Sequence, residues 1–140
     1  MAAPDHSEII YRTDITPDID DIINLYGASG YFPIVDKSDR KRIEMLHNNA
    51  QIIVTAWHQG LLVGLARAIS DFCYCCSLSD LCVDNDYQRK GIGRVLVETT
   101  KMKAGSACKL ILDSSISSMG FYKKIGMQHI DSAFVISRDQ

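Results

Sequence analysis

The apolar positions of this chain switch between two spacings, and the switches mark its elements. Residues 9–13 form a short strand candidate. Ile19, Ile22, Ile23 and Tyr26 then recur at three- and four-residue steps, the stripe of an amphipathic helix. Thr16 is placed to cap that helix, Pro17 suits its first position, and Asp18, Asp20 and Asp21 suit its positive end. Gly27 and Gly30 end it. A second helix is predicted from a cap at Asp36 or Ser38 to about Asn48, with Ile43, Leu46 and His47 inward.

From there the period falls to two. Residues 51–57 are rich in β-branched side chains, His58-Gln59-Gly60 turns the chain, and residues 61–69 return, which predicts a β-hairpin. Gly64 interrupts the second arm, the signature of a bulge or a close backbone approach. Residues 75–83 are small or apolar on both faces, as in a covered strand. A helix from near Ile92 presents Ile92, Val95, Leu96, Thr99 and Met102 on one side and ends at Gly105. Residues 108–113 read as another buried strand. Residues 116–125 read as a short helix begun by Ser114 or Ser115 and stopped by Gly126. Residues 128–130 and 133–137 read as two closing strands.

The order is β-α-α-β-β-β-α-β-α-β-β. One crossover is explicit: strand 75–83, helix 92–103, strand 108–113. The right-handed rule makes those strands parallel neighbours. The predicted class is α/β of the α+β kind: a mixed, mostly antiparallel sheet with helices on both faces. No repeat or linker divides the 140 residues, so residues 1–140 read as one domain.

Charge and composition narrow the function. A formal charge of -2 argues against a general nucleic-acid binder and makes any anion site local. No apolar run approaches a membrane span, and residues 1–8 read as a frayed polar tail without a signal peptide. The five cysteines, an odd count without an export signal, suit reduced thiols in the cytoplasm. Cys73, Cys75 and Cys76 lack a second ligand pair, and no histidine is spaced to supply one, so they read as small strand residues and no metal is expected.

The chemistry concentrates in residues 80–98. Gly91 and Gly93 leave backbone N–H groups open over a turn, the following helix adds its unpaired N–H groups and dipole, and Arg89, Lys90 and Arg94 surround that end. Such a site suits a phosphate or pyrophosphate. It is neither a P-loop nor the dinucleotide fingerprint, which needs a third glycine. Asp80, a carboxylate in a covered strand, needs a partner or a purpose: it braces a neighbouring loop or stands at a reaction cleft. Tyr31 and Phe32 either cap the core beneath their loop or line an acceptor pocket. Lys37, Arg40, Lys41 and Arg42 read as a solvated helix face, and His58 as an exposed turn residue.

Downstream lies Phe121-Tyr122-Lys123-Lys124-Ile125-Gly126-Met127. Together with Gln88-Arg89-Lys90-Gly91-Ile92-Gly93, it makes the chain resemble the GCN5-related N-acetyltransferase (GNAT) superfamily. The first motif matches that family's Arg/Gln-x-x-Gly-x-Gly/Ala loop. The second carries Met127 where the family has an aromatic, and Ser115 and Ser118 where many members have Asn-x-x-Ala. The run 62–69 also looks like the family's third strand. The resemblance implies a splayed parallel strand pair and acetyl-CoA as acyl donor to an amine acceptor. It implies pyrophosphate on the N–H groups of Gln88, Arg89, Lys90, Gly91, Ile92 and Gly93, with Arg94 nearby and Ser115 as a further contact. It places the pantetheine arm beside Leu81, Cys82 and Val83, with a backbone N–H near Leu81 for the thioester oxygen.

By the same resemblance Tyr122 protonates the departing thiolate. The comparable positions for a base hold Ser77 and Ser79, poor bases, and then Asp80, which either takes the proton or binds a cationic acceptor. The leading reading is an N-acetyltransferase acting on a small primary amine by direct attack, with Tyr31 and Phe32 at the acceptor. A protein N-terminus or lysine as acceptor, a non-catalytic acyl-CoA-binding module and a homodimer remain open.

Overall fold

The computed structural model describes residues 8–31 and 39–139. Phe32 and the proposed caps Asp36 and Ser38 lie outside them. Five strands form one sheet in chain order: β1 (Ile10–Arg12), β2 (Ile52–His58), β3 (Leu61–Ser70), β4 (Cys75–Val83) and β5 (Lys109–Ile111). Every neighbouring pair is antiparallel except β4 with β5, which is parallel. The helices are α1 (Ile19–Ser29), α2 (Arg40–Asn48), α3 (Ile92–Ala104) and α4 (Met119–Lys124), with short 3-10 turns at Asn85–Tyr87 and Ile116–Ser118.

The sheet separates two apolar cores. Ile22, Leu25 and Tyr26 of α1 and Ile43 of α2 pack on Ile53, Leu65 and Cys82 of one face. Ile92, Leu96 and Val97 of α3 pack on Val54, Ala66 and Cys76 of the other. The hairpin forms as expected, turning through Gln59 (φ 49°) and Gly60 (φ 81°). Gly64 shows both predicted features. The register shifts beside it, skipping Val63, and a Cβ at Gly64 would lie 3.1 Å from Ala56, Ile92 and Leu96 side-chain atoms. α3 therefore lies directly on the β3 backbone.

Several boundaries differ from the sequence expectation. α1 begins after Asp18 rather than at Thr16, and α2 is capped by Asp39, whose carboxylate accepts from the Arg42 N–H at 3.0 Å. The buried face of α3 is Ile92, Leu96, Thr100 and Ala104, and Met102 is 76% exposed. A four-residue step follows the line of closest approach over Gly64, which puts Met102 on the far side. β5 is three residues long, because it leaves β4 after Ile111. The closing strands 128–130 and 133–137 do not form, and Phe134 and Ile136 are 98% and 99% exposed. Apolar composition makes a strand only where a neighbour supplies the hydrogen bonds, and this segment pairs with none among the described residues.

Candidate active site

β4 and β5 are paired only through Cys75↔Lys109, Cys76↔Leu110 and Ser77↔Ile111. Beyond Ser77 the outer edge of β4 is free of β5. Leu78, Ser79 and Leu81 on one side and Leu112, Asp113 and Ser114 on the other line a cleft with about 430 Å³ of empty space, open to solvent. Tyr31 closes one wall, and Ser115, Ser118 and Tyr122 close another.

A β-bulge shapes this region. Arg67 pairs with Asp80 and Ala68 with Leu78, so Ser79 is the extra residue. One added residue exchanges the faces of everything after it. Cys76 and Leu78 belong to the α3-side core, whereas Cys82 belongs to the core under α1 and α2. Asp80 is carried to the α1–α2 side with Cys82, facing Arg67.

The Asp80 carboxylate is fully buried there. Its Oδ2 accepts from Arg67 Nε at 2.7 Å and from Tyr26 Oη at 2.8 Å. Its Oδ1 accepts from Arg67 Nη2 at 3.0 Å and from Tyr31 Oη at 3.0 Å. Because Tyr26 donates to Asp80, the 2.8 Å contact between Tyr26 Oη and His47 Nε2 is a bond donated by the imidazole N–H. His47 Nδ1 is then a buried acceptor without a hydrogen bond. Burial, ahead of the nearby Arg67, lowers the His47 pKa to about 4, so the ring is neutral. Burial first, and then the Asp80 charge, raise the pKa of both tyrosines and keep them protonated.

Tyr122 is half-buried on α4 and faces the cleft. Burial raises its pKa, and its hydroxyl makes no hydrogen bond among the described residues. Ser115 Oγ lies 3.0 Å from Ser118 Oγ and 3.3 Å from Ser117 Oγ, so these three hydroxyls form one cluster beside it.

The basic glycine loop stands at the far end of β4. Asp84 accepts from the Asp86 N–H at 2.9 Å and sets the 3-10 turn. The Gln88 side chain donates to Val83 O at 3.1 Å and Asn85 Oδ1 at 2.9 Å, so only its backbone is open. Arg89 (φ 63°) and Gly91 (φ 85°) are both left-handed, and no side chain caps α3. Left-handed residues beside an uncapped helix start are the kind of backbone from which anion-binding nests are built. Lys90 Nζ lies 5.3 Å from the Tyr87 ring centre, and Arg94 Nε is 2.9 Å from Glu98 Oε1. His58 is not the exposed residue expected at the turn. It is 9% exposed, and its Nδ1 is 2.7 Å from Tyr87 Oη, because the last strand residue folds its ring onto the 3-10 turn.

The structure thus gathers Tyr31, Leu81, Ser115 and Tyr122 around one cleft and puts the residues 88–94 at the other end of the same strand. Asp80 is next to the cleft but behind Tyr31, and the Cys82 side chain is in the core while its backbone faces Leu65 of β3. Sequence reasoning gave Arg67 and Asp113 no part in the site and read Tyr26 only as a core position of the first helix. The signal for Arg67 was available: it and Asp80 are the sole charged residues of two covered strands, and opposite charges so placed seek each other.

The sequence model of the acetyltransferase (GNAT) domain matches residues 28–136. The glucosamine 6-phosphate N-acetyltransferase of Schizosaccharomyces pombe is 42% identical over 55 residues, 38% of this chain and 50% of that protein. The match therefore spans half the length of that curated relative. A probable acetyltransferase from meticillin-resistant Staphylococcus aureus superposes with a TM-score of 0.75 at 22% identity, over 94% of this chain and 100% of that one. Glucosamine-6-phosphate N-acetyltransferase from Arabidopsis thaliana superposes with a TM-score of 0.66 at 21% identity, over 94% of this chain and 97% of that one. These two likenesses show the shared fold. The domain match, which takes in the glycine loop, the splayed strands and Tyr122, is the broader finding: the chain belongs to the GCN5-related N-acetyltransferase family, acetyltransferases that use acetyl-CoA.

Proposed function

We infer that this protein transfers the acetyl group of acetyl-CoA to a primary amine of a small molecule. The observation that carries the reading is the cleft itself: the free edge of β4 and an unbonded Tyr122 hydroxyl open into one space. The residues present fit the co-substrate. The N–H groups of Gln88, Arg89, Lys90, Gly91, Ile92 and Gly93 and the uncapped start of α3 would hold its pyrophosphate, with the charges of Arg89, Lys90 and Arg94 beside them. Backbone groups of Leu81 and Val83, which flank Cys82 and face away from β3, would hold the pantetheine arm as a strand is held. Acetyl-CoA supplies an activated acyl group as a thioester.

The protein's contribution is then positioning and charge stabilisation. A backbone N–H near Leu81 donates to the thioester oxygen as the neutral amine nitrogen attacks. The carbon–sulfur bond breaks, and Tyr122 gives its proton to the departing thiolate and regains one from solvent. The amine loses its own proton to water in the open cleft. Asp80 already has four donors on its oxygens and holds Tyr31 in place rather than collecting that proton. The exposed carboxylate of Asp113 and the hydroxyls of Ser79, Ser114 and Ser118 give the cleft an electronegative, hydrogen-bonding lining suited to a small cationic polar acceptor. The two named glucosamine 6-phosphate N-acetyltransferases act, by their names, on a small molecule that bears a primary amine.

The test follows free thiol as the protein is mixed with acetyl-CoA and a panel of amino sugars, polyamines and aminoglycosides. Release that depends on one of these amines supports the reading. Release from none of them, or no binding of CoA, overturns it.

A further inference from the structure

Tyr31 has one hydroxyl hydrogen and two inward acceptors. Its oxygen lies 3.0 Å from Asp80 Oδ1 and 3.0 Å from the Ser79 carbonyl oxygen. Whichever accepts, the hydrogen is spent inside the protein. Asp80 cannot turn away, because Arg67 grips both of its oxygens and Tyr26 occupies Oδ2. A carboxylate has about four lone-pair sites, and these four bonds fill them. Tyr31 also lines the cleft. What its hydroxyl has left for a ligand is therefore lone pairs.

We propose that Arg67, Asp80 and Tyr31 form a polarity lock on acceptor recognition, in which the Tyr31 oxygen meets only hydrogen-bond donors and so selects a primary ammonium or amine over a fully alkylated cation. The lock rests on the acetyl-transfer reading for the identity of this cleft as the acceptor site. Tyr31 is the specificity-determining residue, and Asp80 and Arg67 are positioning residues that act through it. Asp113 supplies a second acceptor-only group in the same cleft, without a hydrogen bond or ion pair of its own among the described residues. Two such groups suit a nitrogen bearing more than one N–H.

The aromatic walls alone lead to the opposite preference. The rings of Tyr31 and Tyr122 would attract a quaternary ammonium through its cation–π interaction. Ethanolamine and choline separate the two cases, since they share a charge and a hydroxyl and differ only in N-methylation. Calorimetric titration of each into the protein saturated with CoA requires no turnover. The lock predicts that ethanolamine binds about tenfold more tightly than choline, as a hydrogen bond to a charged group implies. Tyr31→Phe keeps the ring, removes the lone pairs and brings that ratio to about one or below.

Asp80→Asn places an amide N–H on the Tyr31 oxygen while the hydroxyl hydrogen stays on the Ser79 carbonyl, so one of the lone pairs left for a ligand is occupied and the ratio should fall in the same direction. If that variant does not fold, Tyr31→Phe decides alone. Choline binding as tightly as ethanolamine, a preference that survives Tyr31→Phe, or no binding of either amine overturns the proposal. A preserved ethanolamine preference with no thiol release from acetyl-CoA would instead overturn the acetyl-transfer reading and leave the lock standing.

Discussion

Phe121 fills the space that a side chain on Gly93 would need: a Cβ at Gly93 would lie 3.0 Å from Phe121 Cζ and 3.3 Å from its Cε1. The second glycine of the loop thus does more than bare a turn. It lets α4 rest on the first turn of α3, and Tyr122, whose ring meets Phe121 edge-on at 5.1 Å between centres, is positioned by that contact. The glycine loop and the proposed proton donor are one packed unit.

Gly93→Ala should accordingly displace Phe121 and Tyr122 while sparing the open N–H groups of residues 88–92. Overpacking of this kind costs about 1–3 kcal/mol of stability, and misplacement of a catalytic group lowers turnover about 10–100-fold. Steady-state kinetics with CoA-binding calorimetry should show a fall in kcat with the Kd for CoA within about threefold. Adding Phe121→Leu should recover part of the lost rate. A Gly93→Ala enzyme with unchanged kcat would show that the contact does not position Tyr122.

The buried, neutral His47 makes stability depend on pH. Its folded pKa of about 4 lies below the ordinary 6.5, so between those values the unfolded chain binds the extra proton. Stability from this group is full above about 6.5 and declines as pH falls toward 4, by about 3 kcal/mol in all. His47→Gln keeps an N–H for Tyr26 and does not titrate. Denaturant unfolding across this range should give a wild-type curve that falls more steeply than that of His47→Gln. Parallel curves would contradict the assignment.

Arg89 holds a left-handed backbone at φ 63° with a long side chain, a conformation that glycine adopts without strain. Arg89→Gly should raise folding stability by up to about 1 kcal/mol. It should also weaken CoA several-fold and flatten the salt dependence of that binding, because one cation beside the phosphates is gone. Equal CoA affinity in both forms would remove Arg89 from the binding site.

The fold was legible wherever local periodicity and tertiary demand agreed. The hairpin around Gln59-Gly60, strand β4 and helix α3 stand where the apolar pattern puts them, and the parallel crossover follows from their order. The misses have physical reasons. Met102 was assigned inward because a helical stripe is broad, and only the approach to Gly64 fixes its centre. Residues 128–137 carry a strand's composition, but composition cannot supply a partner. His58 looked like a turn residue because no local pattern reveals Tyr87 across the fold. The glycine loop and Tyr122 were readable as motifs. Residue type alone could pair Asp80 with Arg67, but the bulge at Ser79 that sets which face the pair takes leaves no mark in the sequence, so the place of Asp80 behind Tyr31 was not readable.

The central claim, that this cleft transfers an acetyl group with Tyr122 as the acid, is tested most directly by the Tyr122→Phe variant. The measurement is kcat for CoA thiol release with the best amine of the panel, at neutral pH and beside a CoA-binding titration. Removal of a general acid should lower kcat about 10²–10⁴-fold, with CoA affinity unchanged because the phenol makes no bond to the loop. A Tyr122→Phe enzyme that turns over at the wild-type rate would contradict the account.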